Sequence, residues 1–129
     1  MNKLALALAV LVATPSASLC QSVTPMRGTP RSVVETFAVR IVVGNPYPQQ
    51  QTFAVKVYDD KFFPIAAEVS LPFLKLPAQG SRTVLVMVPF DGMQNRKVRI
   101  CAEGLFGTAE SSKLRTQVCG KFLATHIGS

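Results

Sequence analysis

Few side chains in this 129-residue sequence could do covalent or metal chemistry: three cysteines, one histidine and seven acids, with no tryptophan. Two of the cysteines sit in runs that alternate apolar and polar residues. In residues 96–103, Val98, Ile100 and Ala102 alternate with Lys97, Arg99, Cys101 and Glu103; in residues 114–125, Val118 and Phe122 alternate with Gln117, Cys119 and Lys121. Both cysteines therefore fall on the polar face of a strand. If residues 104–113 connect the runs, an antiparallel pairing that opposes Cys101 to Cys119 also opposes Arg99 to Lys121 and Glu103 to Gln117. Directly opposed positions bring the Cβ atoms within disulfide reach. A Cys101–Cys119 bond closing the last hairpin is the expectation. A redox pair usually has its cysteines two apart beside a helix, and a structural zinc wants four ligands where only His126 and Cys20 remain. No metal or other cofactor is expected.

Catalysis has no foothold either. His126 stands three residues from the end and reads as an exposed spectator, so a nucleophile would lack its base. Asp59-Asp60-Lys61 reads as a hairpin turn rather than a carboxylate pair, and neither Ser70-Leu71-Pro72 nor Gly104-Leu105-Phe106-Gly107 is a phosphate cradle. No catalytic residue is assigned, and the protein is expected not to be an enzyme. Charge is the remaining signal: 14 basic residues against 7 acidic ones give +7 with the histidine neutral. Lys97, Arg99, Arg115 and Lys121 share the parity of the disulfide face. That face is either a solvated surface or a binding surface for an anionic envelope polymer, lipid headgroups or an acidic envelope protein.

These residues need a scaffold and an address. Met1-Asn2-Lys3 followed by the apolar run from Leu4 to Ala13 and the small residues Ser16, Ala17 and Ser18 has the layout of a secretory signal. The expected division is a signal peptide over residues 1–20, an extended lead-in over 21–32 and one domain over 33–127, periplasmic or secreted. Cys20 does not fit lipidation, because Ala17 and Leu19 reverse the usual order of the motif. The apolar run is too short to span a bilayer, which takes about 20 residues, so no transmembrane anchor is expected after cleavage. Nucleic acid is not an expected partner of an exported chain.

With 48% hydrophobic and 16% charged residues over its full length, the chain can bury a core. Its runs have the period of two: residues 34–43, 52–58, 62–70, 71–76, 82–90, 96–103 and 114–125, separated by Gly, Pro, Asn and Asp clusters. Pro64 and Pro72 mark the third and fourth as edge or short strands. In the fifth, Leu85 and Met87 oppose Val84, Val86 and Val88, which suggests cover on both sides. Seven evenly spaced strands and no helical period predict an all-β fold, an immunoglobulin-like sandwich of about seven antiparallel strands. The inward residues are expected to be Phe37, Val39, Ile41, Phe53, Val55, Val57, Val86, Ile100, Val118 and Phe122.

From Arg40 to Glu103, the strand ending Ile41-Val42-Val43-Gly44-Asn45-Pro46, the Pro77-to-Gly80 turn before the valine-rich strand, and Arg96-Lys97-Val98-Arg99-Ile100-Cys101 resemble bacterial immunoglobulin-like modules of the cell-adhesion-related type. More distantly they resemble the first domain of periplasmic pilus chaperones. The resemblance implies a fold and, more loosely, an accessory role in binding or assembling an envelope component. It departs from a pilus chaperone in length, because such a protein has two domains with a basic pair at the cleft between them. The alternative function is an exported enzyme inhibitor, for which a disulfide-braced loop on a small basic sandwich would serve.

Overall fold

The computed structural model describes residues 22–105 and 115–128; the expected signal peptide over residues 1–20, with Cys20, and the connection 106–114 lie outside the described residues. The described residues form ten strands in order: β1 (Ser22–Thr24), β2 (Arg27–Gly28), β3 (Arg31–Ser32), β4 (Thr36–Gly44), β5 (Gln51–Asp59), β6 (Glu68–Val69), β7 (Phe73–Leu76), β8 (Ser81–Pro89), β9 (Asn95–Leu105) and β10 (Arg115–His126). One sheet has the order β1-β4-β8-β6. The other has the order β2-β10-β9-β5-β7, with β3 also beside β10. All pairings are antiparallel except those of β2 and β3 with β10. The all-β sandwich expected from period-two patterning is the observed architecture.

The alternation in each long strand sends one set of side chains into the layer between the sheets. Phe37, Val39, Ile41 and Val43 of β4 meet Phe53, Val55 and Val57 of β5, with Val84, Val86 and Val88 of β8 and Val98, Ile100 and Ala102 of β9 completing the layer. Phe37 and Phe90 pack with ring centroids 4.9 Å apart. Every expected core residue is buried except Val118, which is partly buried against the cluster.

Three local expectations are corrected, and one, a short edge strand within residues 62–70, holds. The lead-in is paired rather than merely extended: β1 joins the first sheet with Val23 fully buried, then the chain crosses at the cis Thr24–Pro25 bond and lays β2 and β3 along β10. Two- and three-residue strands show no period, so only their partners could reveal them. The first long strand begins at Thr36, leaving Val33 and Val34 exposed in a bend that Ser32 Oγ closes by accepting from Val34 N and donating to Thr36 O. Residues 62–70 contribute only the two-residue β6 and a bridge from Pro64 to Tyr58, as prolines that cannot donate would dictate. Leu85 and Met87 are more than one-third exposed, so β8 is covered on one face.

Asn45 ties the two sheets at one corner. Its backbone N–H donates to Gly80 O, its Nδ2 donates to the carbonyls of Gln49, Leu76 and Pro77 at 3.0, 3.2 and 3.0 Å, and its Oδ1 accepts from Tyr47 N. The turn it grips needs Gly80, where a Cβ would stand 2.7 Å from Pro77 Cγ.

Candidate functional site

The β9–β10 hairpin has the register read from the sequence. Cys119 opposes Cys101, Lys121 opposes Arg99 and Gln117 opposes Glu103. The cysteines are joined by a disulfide across Cα atoms 4.0 Å apart, the close approach of a non-hydrogen-bonded pair. Cys101 is fully buried, although it lies on the outer face of the sheet.

What flanks it on that face is an ionic cluster. Glu103 is buried; its Oε1 accepts from Tyr58 Oη at 2.7 Å and from Gln117 Nε2 at 3.0 Å, and its Oε2 lies 3.3 Å from Lys56 Nζ. Burial pushes the carboxyl pKa up, but the hydrogen bonds from Tyr58, Lys56 and Gln117 and the charge of Lys56 outweigh it, leaving the group below its usual range. A depressed carboxyl stabilises the fold above its unfolded pKa of about 4.3 and loses that contribution as pH falls through its folded value. Glu103→Gln keeps the shape and an acceptor for Tyr58 but removes the charge. Denaturant unfolding is expected to show a loss of roughly 1–3 kcal/mol at neutral pH, shrinking on acidification. A deficit that persists unchanged in acid would mean that packing, not charge, holds this cluster.

One turn of register along, Tyr58, Arg99, Lys121 and Arg27 stand abreast across β5, β9, β10 and β2. Three cations in a row line an open groove of about 660 Å³, with Lys97, Asp60 and Leu123 also on its wall. The Arg99 guanidinium lies 4.4 Å from the Phe62 ring centroid, and its Nη2 donates to Asp60 O at 3.4 Å. Asp59 positions that loop by accepting from Lys61 N and Phe63 N, the turn expected of the Asp-Asp pair. None of Arg27, Lys97 and Lys121 has an ion-pair partner among the described residues; the ion pair there is Lys56–Glu103.

Of the four basic residues singled out in the sequence, Lys97, Arg99 and Lys121 come together. Arg115 does not join them: it opposes Leu105, six residues along β10 from Lys121, about 20 Å away at strand rise. Sequence reading missed Arg27, because only the parallel pairing of β2 places it beside Lys121. It also missed Phe62, whose positive φ of 64° turns the loop back over Arg99. His126 is a correction. Rather than an exposed spectator, its ring packs 5.0 Å from that of Phe90, with Nε2 buried and without a hydrogen-bond partner. Among the described residues no group of three His, Cys, Asp or Glu side chains could hold a metal ion.

No family model matches the chain, and no curated protein matches it. Solved structures do. The E. coli chaperone DraB superposes with a TM-score of 0.67 at 14% identity, over 84% of this chain and 55% of that one. A chain of the Salmonella enterica SafA pilin–SafB chaperone complex gives 0.65 at 15% identity, over 84% and 55%. WR4, a C. elegans MSP family member, gives 0.57 at 13% identity, over 81% and 97%. At these identities the likeness shows the fold: an immunoglobulin-like sandwich, shared with periplasmic pilus chaperones and an MSP domain. The resemblance read from the strand and turn residues holds at that level. The chain spans a little over half the length of the chaperones it matches.

Proposed function

We propose that this chain is an exported, non-catalytic binding protein of the bacterial envelope, periplasmic or secreted, that holds or helps assemble another envelope component. On this reading residues 33–127 form the sandwich domain that does the binding, after a leader over residues 1–20. The observation that carries the reading is the outer edge of β10. This strand pairs with β9 from Arg115 to Thr125, yet among the described residues has a strand on its other side only at Lys121–Phe122 and Thr125–His126. Lys121 N and Thr125 N donate outward, to Met26 O and Pro30 O. By strand alternation the Gln117 and Cys119 amides face the same way, where a partner strand can add. The disulfide holds that edge against β9. The likeness to chaperones described with a pilin or a tip adhesin supports an assembly role.

Gln117→Pro removes one outward N–H while leaving the β9 ladder its bonds. Crosslinking in envelope extracts is expected to capture a partner with the parent protein and with Gln117→Ala, and to lose it with Gln117→Pro at the melting temperature of Gln117→Ala, which lacks the same side-chain bond to Glu103. Retention of the partner by a folded Gln117→Pro protein would remove the edge from the mechanism.

A further inference from the structure

The face beside that edge has a composition that strand addition does not use. Arg27, Lys121 and Arg99 stand on adjacent strands, about 4.8 Å apart in the pairing direction, and Lys97 and the single carboxylate of Asp60 share their groove. Like charges abreast repel unless anions lie over them. One anion cannot neutralise such a row; an array can. Interleaved with the cations are large apolar side chains that remain open: Phe62 is 46% exposed despite its contact with Arg99, Leu123 is 39% exposed opposite Lys97, and Met93, 47% exposed, borders an adjoining groove that shares Lys97, Asp60 and Leu123. A soluble polyanion gains nothing from these three. A membrane surface rewards both halves, its headgroup phosphates meeting the cations and its acyl boundary taking the apolar tips.

From this juxtaposition we infer that the Arg27–Lys121–Arg99 face docks on anionic phospholipid headgroups, with Phe62 and Leu123 entering the interface beside them. This goes beyond the strand-adding reading and leaves the β10 edge for its own partner. Flotation with phosphatidylcholine vesicles, with and without phosphatidylglycerol, tests it. The protein is expected to float only with the anionic vesicles, and to be released as salt rises past physiological strength, where charges are screened over about 8 Å. Arg27→Gln with Lys121→Gln, checked for an unchanged melting temperature, is expected to weaken vesicle binding roughly thirtyfold. Phe62→Ser with Leu123→Ser is expected to weaken vesicle binding while leaving retention on immobilised polyphosphate unchanged. Flotation with neither vesicle type, or equally with both, overturns the inference. Anionic binding indifferent to Phe62→Ser with Leu123→Ser overturns it in favour of a soluble polyanion or an acidic protein. Gln117→Pro leaves this face intact, so the two readings fail separately: a partner retained by folded Gln117→Pro with flotation as expected sinks the edge reading alone, and a partner lost with Gln117→Pro while the parent protein fails to float with anionic vesicles sinks this inference alone.

Discussion

Replacing Cys101 and Cys119 together by Ala is expected to lower the unfolding free energy by about 3 kcal/mol, the loop-closure value for a separation of 18 residues. For a domain of this size that corresponds to a fall of roughly 10–20 °C in melting temperature. Strand content should survive, because the disulfide lies on the outer face, while Val98, Ile100, Ala102 and Phe122 of the same two strands point into the core. The parent protein under reductant should lose a similar amount, since both treatments restore the freedom of the unfolded chain. If reduction costs much less than the double substitution, the loss comes from packing around the buried Cys101 rather than from the cross-link. Calorimetry of the three samples separates these outcomes. A cost under about 1 kcal/mol in both would mean that ten other strand pairings along β9 and β10 already fix the hairpin.

The hairpin was legible because two independent signals agreed: the parity of Val98, Ile100 and Ala102, and the opposition of two cysteines, which together fix a register to the residue. The long strands were legible for the same reason, each carrying three or more apolar residues at period two. What sequence could not place was short or non-local. Arg27 lies in a two-residue strand whose only meaning is its parallel pairing with Lys121–Phe122. Phe62 and Arg99 are far apart in sequence and meet through a turn set by Asp59. Parity also says which face a residue takes but not whether water reaches it. Cys101 and Glu103 stand on the polar face yet are buried there, because Tyr58, Lys56 and Gln117 converge on the carboxylate from both neighbouring strands.

The second large effect is expected at Asn45, 2% exposed at the corner where β4 leaves the first sheet. Asn45→Ala removes the donor shared by the carbonyls of Gln49, Leu76 and Pro77 and the acceptor of Tyr47 N. The Leu76 bond is the buried one, so the cost is that of stranding buried backbone groups, about 2–4 kcal/mol in all. Asn45→Asp separates hydrogen bonding from shape. It retains an acceptor for Tyr47 N but turns a carboxylate oxygen toward three carbonyl oxygens, where only the protonated acid could donate. The folded protein would then favour the neutral form, raising that carboxyl above its unfolded value of about 3.9. The sign follows: Asn45→Asp should be least destabilising below that value and progressively worse as pH rises through the folded pKa, opposite to the direction at Glu103. Denaturant unfolding of both variants across acid to neutral pH measures it. If Asn45→Asp matches the parent protein at neutral pH, the three carbonyls are satisfied without Nδ2, and the corner is held by the Asn45 N to Gly80 O bond and the packing of the Pro77–Gly80 turn.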